Sequence, residues 1–173
     1  MYRIAFIGPE STAKSSLSAQ LALHFKTKWV PEFSRDYISK LNRPYKMEDV
    51  LHCIKMQITE ENKIADSAIN LYFTDNEIIN GKVWLLDKYN EYPNWIDSAI
   101  TENPYDLYLL TYPDIEFIAD DVRENENRRK YFYEWYKREL DKYKFNYEII
   151  NGIGEQRFQN ALKAVENFLK TKN

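Results

Sequence analysis

Short apolar runs alternate along the chain with longer stretches in which apolar residues recur every three or four positions. YRIAFIG, residues 2–8, is the first run; it reads as a strand buried in a parallel sheet, closed by a glycine. In the following KSSLSAQLALHF, Leu17, Leu21 and Phe25 share one helical face, so the opening reads strand, tight loop, helix. KWVPEFSRDY supplies a second short strand ending near Pro31, and SRDYISKL opens a helical turn. Residues 47–68 are expected to form a long amphipathic helix with Val50, Leu51, Ile54, Ile58, Ile64 and Ala65 on its apolar side. INLYFTDNE is a third apolar run, with acidic residues at its end. Helices are predicted at 78–89 and 95–100, and a fourth strand in YDLYLLTYP. ADDVRENENRRKYFYEWYKREL begins polar and becomes helical, FNYEIINGIG supplies a fifth strand, and EQRFQNALKAVENFLK a final helix.

Strands alternating with helices predict an α/β fold in which a central parallel five-stranded sheet is covered on both faces, giving three layers. No repeat, low-complexity segment or linker divides residues 1–173, which are expected to form a single domain. Hydrophobic residues make up 44% of the chain and aromatic ones 16%, enough to exclude a disordered chain. The net charge of −3 argues against a general nucleic-acid binder, while leaving room for a local basic pocket. A lone cysteine, Cys53, rules out an intramolecular disulfide and a cysteine-based zinc site. It is expected to be a small buried residue, and His24 and His52 to be structural or exposed. MYRIAFIG lacks the form of a signal peptide, and no stretch approaches the ~20 apolar residues of a membrane helix. A cytoplasmic protein without a membrane partner is the expectation.

In parallel sheets, ligands bind at the carboxyl ends of the strands. The unusual polar residues collect there, at 8–15, 32–35, 75–77 and 114–123. IGPESTAKSSL nearly matches the phosphate-loop pattern G-x-x-x-x-G-K-[ST], between a strand and a helix as that loop requires. Gly8, Glu10, Ser11, Thr12, Ala13, Lys14, Ser15 and Ser16 are its candidate nucleotide-binding residues. Lys14 would reach the outer phosphates and the Ser15 hydroxyl would hold Mg²⁺, so ATP and Mg²⁺ are the expected cofactors. The departure is Ala13, where the pattern has glycine. If that position needs a positive φ, the methyl group costs about 1–2 kcal/mol, which weakens or reshapes binding without abolishing it.

Asp75 is a candidate Mg²⁺-side carboxylate or proton acceptor, with a helix N-cap as its structural alternative. Arg123, Arg128 and Arg129 are candidates for a lid that neutralises a transferring phosphoryl group, against a solvated helix face; Arg123 is the preferred one. Glu32 and Arg35 would contact a polar acceptor or pair with each other. Trp84, Tyr89, Tyr92 and Trp95 would stack on a ring or fill the core.

GPESTAKSSL, VPEFSRDY, FTDNEIINGKVW and ADDVREN, together and in this order, resemble the NadR-like P-loop kinase domain; INGIGEQRFQNAL resembles its last strand, loop and helix. The family's loop is usually GPESTGKS, its acidic strand end D-T-[DE] and its lid entry D-G-[LI]-R. Here these stand as Ala13, Asp75-Asn76-Glu77 and Asp120-Asp121-Val122-Arg123. The resemblance implies a P-loop NTPase fold of nucleoside-kinase type with a lid. It implies transfer of the ATP γ-phosphate to the 5′-hydroxyl of nicotinamide riboside, with neither the DNA-binding nor the adenylyltransferase activity of bifunctional relatives. It further implies Lys14, Asp75 and Arg123 as catalytic residues and Ser15 with Asp75 as metal ligands. Glu32, Arg35, Gln57 and Asp75 would then be acceptor contacts, and residues 151–155 would flank adenine. The competing readings are a P-loop ATPase or regulatory module acting on a protein partner, and a binding module with a decayed loop.

Overall fold

The computed structural model describes residues 1–68, 70–120 and 123–172. Five parallel strands, β1 (Tyr2–Ile7), β2 (Lys28–Val30), β3 (Leu71–Asp75), β4 (Leu107–Thr111) and β5 (Tyr147–Ile150), lie in the order β2-β3-β1-β4-β5. Around them run α1 (Lys14–His24), α2 (Phe33–Ser39), α3 (Met47–Ala65), α4 (Ile78–Tyr89), α5 (Trp95–Glu102), α6 (Arg129–Tyr143) and α7 (Glu155–Lys170). The α/β fold and the five-stranded parallel sheet are those expected.

Period-two alternation in β1 explains the three layers. Ala5 and Ile7 point into one core with Val50, Ile54, Ile79, Val83, Tyr108 and Leu110, beneath α3 to α6. Ile4 and Phe6 point into the other, with Leu17, Leu21, Phe73, Leu109, Ala161 and Val165, beneath α1 and α7. Among the described residues, no helix is long and apolar enough to cross a membrane.

The order places β1 at the centre, with β3 on one side and β4 on the other, so the chain goes from β1 to β2 and β3 on one side and then crosses over β1 to β4 and β5 on the other. This is where a crevice opens beyond the strand ends. The register sets Phe6 beside Asp75 and Ile7 beside Leu110, so the polar ends of β1, β3 and β4 emerge together. The long helix differs from expectation in two ways. It ends at Ala65, short of residue 68, and its buried side includes Asp49, Gln57 and Glu61 as well as Val50 and Ile54.

Candidate active site

The segment from Gly8 to Ala13 turns tightly over the end of β4. Gly8 has φ 146°, and a Cβ built there would lie 2.3 Å from Thr111 Oγ1 and 2.9 Å from the Thr111 carbonyl oxygen. The Thr12 and Thr111 hydroxyls lie 2.7 Å apart, and the Thr12 hydroxyl donates to the Pro9 carbonyl at 2.8 Å. Gly8→Ala is therefore expected to cost about 2–4 kcal/mol of stability through left-handed strain and overpacking. Urea denaturation measures this, and a loss below 1 kcal/mol would show that β4 yields to the methyl group.

Ser11 and Ala13 also adopt positive φ, 53° and 65°. Ala13 precedes α1 as its N-cap without a side-chain cap, and its methyl packs against the α1–α7 core. The position that the pattern reserves for glycine is thus left-handed, and alanine occupies it. Ala13→Gly removes strain of about 1–2 kcal/mol and loses part of that gain to unfolded-chain entropy and lost packing. A net gain of about 0.5 kcal/mol is expected in urea denaturation; a loss above 1 kcal/mol would show that the methyl contact outweighs the strain. Behind this turn, Lys14 Nζ donates to the carbonyls of Gly8 at 3.0 Å and Pro9 at 2.9 Å. Ser15 and Ser16 lie in the first turn of α1, where helix N–H groups lack intrahelical partners and attract anions.

Asp75 ends β3 with 1% of its surface exposed, and neither carboxylate oxygen meets a hydrogen-bond partner. Burial and, after it, the charge of Glu32 push its pKa up to about 6. Lys14, Ser15 and Arg35 pull the other way, the Ser15 hydroxyl from near the carboxylate but outside hydrogen-bond geometry. The alternative role of Asp75, the N-cap of the next helix, belongs to Glu77. Asn76 turns with φ 80°, which moves the cap on by two residues. Glu77 then accepts from the N–H groups of Ile79 at 2.9 Å and Asn80 at 3.2 Å. Among the described residues, no group of three or more His, Cys, Asp and Glu forms a metal cluster. Magnesium held together with a nucleotide needs only one or two carboxylates, because phosphate oxygens complete its shell. The unpartnered Asp75 carboxylate near the Ser15 hydroxyl fits that donor set.

The facing wall begins at α2. Glu32 accepts from the Ser34 hydroxyl at 2.7 Å and from Asn76 Nδ2 at 2.9 Å. Gln57, expected to touch an acceptor, lines the cleft while bracing it. Its Oε1 accepts from the Phe33 N–H at 2.9 Å and its Nε2 donates to the Thr74 hydroxyl at 3.2 Å. Arg35 pairs with Asp120 across the cleft; the alternative of pairing with Glu32 is not what the structure has. Asp120 also meets Arg123, whose Nε lies at 3.3 Å and whose backbone N–H donates at 3.1 Å. Arg123 further donates to the Ile118 carbonyl. Asp121 and Val122 of the lid entry lie outside the described residues.

The lid segment is tied to the loop by residues expected to bind nucleotide. The Glu10 carboxylate accepts from the N–H groups of Glu124 at 3.1 Å and Asn125 at 3.0 Å, and from Asn125 Nδ2 at 3.2 Å. The Ser11 hydroxyl accepts from the Ile118 N–H at 2.9 Å. Of the other two arginines, Arg129 donates to the carbonyls of Ser11 at 3.2 Å and Ile115 at 2.9 Å, and Arg128 pairs with Asp87 at 3.0 Å. Loop, α2, the end of β3 and the lid enclose a cleft of about 770 Å³. Trp84 lines it, edge-on to Tyr45 with centroids 5.0 Å apart, whereas Tyr89, Tyr92 and Trp95 pack against the core. Cys53 is buried at the wall, its thiol pushed up to about 12 by burial, and His24 and His52 are exposed.

Two buried cations escape the sequence reading. Lys82, 1% exposed, meets Asp97 and Glu139 at 2.9 Å and Tyr143 at 2.8 Å, joining α4, α5 and α6. Burial pulls its pKa down, and these hydrogen bonds more than restore it. Arg157, 2% exposed, runs from α7 beneath the phosphate loop. It donates to the carbonyls of Thr12 at 3.2 Å, Tyr112 at 2.8 Å, Ile150 at 3.3 Å and Gly152 at 2.8 Å, and pairs with Asp114. In turn Asp114 accepts the Gly152 N–H at 2.7 Å, fixing the loop expected beside adenine.

Residues 3–157 match the model of a family described as AAA domain. NadR in complex with NR superposes with TM-score 0.86 at 22% identity, over 96% of this chain and 51% of that one. NadR with NAD and AMP-PNP gives 0.77 at 19%, over 96% and 49%. The deoxyadenosine kinase of M. mycoides with bound dATP gives 0.63 at 15%, over 96% and 100%. The chain thus has the P-loop kinase fold, and it spans about half the length of the NadR chains it matches.

Proposed function

The chain belongs to the AAA domain family, and from that premise we propose that it is a small-molecule kinase transferring the γ-phosphoryl group of ATP to the 5′-hydroxyl of a nucleoside, nicotinamide riboside above all. One observation carries the reading: a buried carboxylate without a hydrogen-bond partner, Asp75, ends β3 near the Ser15 hydroxyl, directly before Asn76, which lines the cleft between the phosphate-type loop and a second polar wall. A pKa near 6 suits a group that takes a hydroxyl proton at neutral pH. In this reading, Lys14 exchanges the Gly8 and Pro9 carbonyls for phosphate oxygens, and the first turn of α1 offers N–H groups to the same phosphates. Ser15 would hold Mg²⁺, which neutralises charge on the β- and γ-phosphates when bound; a carboxylate at Asp75 engaged on the metal's side instead would not serve as the proton acceptor. Glu32 and Arg35 would contact the acceptor, with Gln57 bracing their wall, and Arg123 would exchange Asp120 and the Ile118 carbonyl for the transferring group.

The likeness to NadR solved with NR and with AMP-PNP supports nicotinamide riboside as the first acceptor to test. The experiment is ADP formation from Mg·ATP with nicotinamide riboside, deoxyadenosine or thymidine, and mass analysis of the product. Riboside-dependent ADP with one phosphate gained by the riboside is the expected result. ADP formed at the same rate without any acceptor would overturn it in favour of an ATPase.

A further inference from the structure

In a phosphate loop, the residues between its first glycine and its lysine are expected to wrap the nucleotide. Glu10 has a different set of partners here. Its carboxylate accepts three hydrogen bonds, two from the backbone N–H groups of Glu124 and Asn125 and one from the Asn125 amide. All three donors lie within two residues of Arg123. The anchoring is reinforced next door: the Ser11 hydroxyl accepts the Ile118 N–H, and Arg129 donates to the Ser11 carbonyl. Two adjacent loop residues therefore hold the lid segment on both sides of Arg123.

Backbone N–H groups donating to a carboxylate give strong, directional bonds, because one partner is ionised. Ser11 is left-handed, a conformation that non-glycine residues hold only where the surroundings impose it. We propose that Glu10 is a positioning residue: it fixes the lid to the phosphate loop so that Arg123 stands over the phosphoryl group in transfer, and it acts through Arg123 instead of by contact with the nucleotide. This rests on the kinase reading for its effect on turnover, while the attachment itself is independent of that reading.

Three measurements on Glu10→Ala and Glu10→Gln test it. Amide hydrogen exchange of residues 115–120 and 123–128 should accelerate at least tenfold in Glu10→Ala and much less in Glu10→Gln, whose amide oxygen still accepts. Calorimetric affinity for the non-hydrolysable analogue AMP-PNP with Mg²⁺ should change less than threefold. Turnover with nicotinamide riboside should show kcat down about 10–100-fold in Glu10→Ala, with KM for ATP nearly constant. In the Arg123→Ala background, Glu10→Ala should add no further loss, as two residues acting in series predict. Unchanged exchange together with a tenfold loss of AMP-PNP affinity would overturn the proposal and return Glu10 to the nucleotide. Additive losses in the double variant would overturn it as well. If no nucleoside is phosphorylated by the wild type, the kinase reading fails by itself, and exchange and affinity still decide whether Glu10 holds the lid.

Discussion

Asp75→Asn is expected to lower kcat by about 10²–10⁴-fold, the range for loss of a positioned proton acceptor, while making the nucleotide-free protein more stable at pH 7.5. Both effects have one origin. The carboxylate is buried without a hydrogen-bond partner, and its pKa is raised from 3.8 to about 6. An acid whose folded pKa lies above its unfolded value contributes stability that is complete below pH 3.8. That contribution is lost as pH rises through 6. At about 1.4 kcal/mol per unit, the wild type should lose up to about 3 kcal/mol across this window. A carboxamide in that place has no proton to lose, so the variant should show a flatter profile of stability against pH. The same variant should bind AMP-PNP, because Lys14 and the first turn of α1 are untouched. Denaturation midpoints at pH 4.5 and 7.5, beside initial rates at pH 7.5, measure both effects. A variant less stable than the wild type at pH 7.5 would show that Asp75 is satisfied in the folded state and is not held in reserve for chemistry.

Arg157→Ala is expected to cost about 3–5 kcal/mol, as when one member of a buried ion pair is removed. Burial works against the guanidinium charge, and what justifies it there is the number of oxygens it satisfies. Its removal leaves Asp114 without its cation and strips a donor from the carbonyls of Thr12, Tyr112, Ile150 and Gly152. Lysine should restore little, because a single ammonium cannot reproduce a fork that reaches the loops after β1, β4 and β5 together. Urea denaturation gives the stability change. AMP-PNP affinity in the surviving folded fraction reports on the phosphate loop, and a tenfold weakening is expected because Thr12 loses its support. If Arg157→Lys retains wild-type stability, the site needs only a charge and the geometric argument fails.

The parts of this structure legible from sequence are those with a local cause. Apolar periodicity placed all five strands, and predicted α4 and α7 over the residues where they are found, Ile78–Tyr89 and Glu155–Lys170. The phosphate-loop pattern located the turn and raised a positive φ at Ala13 as a condition, which the structure meets with φ 65°. What escaped notice is buried charge. Lys82 and Arg157 sit in helices whose patterns also carry exposed charges, and their partners come from elements up to 61 and 145 residues away. Burial of Asp49 is similar in kind: Arg43 and Tyr37 meet it from outside its helix. Glu10 shows a further limit. A motif names which residues surround a phosphate, but a side chain two bonds longer than serine can leave that circle and satisfy N–H groups 114 positions on.

The Arg157 bond to Thr12 also bears on the order in which the protein is made. The two residues are 145 positions apart, and chains emerge from the ribosome at about 5–20 residues per second. The phosphate loop therefore exists as a sequence for some seconds before α7 can reach beneath it. A nascent chain synthesised only as far as β5 has Lys14 and Ser15 in place along the polypeptide, yet lacks the clamp under Thr12. Nucleotide should thus stabilise early intermediates more weakly than the finished chain, and protection by ATP should strengthen once Arg157 of α7 has been translated.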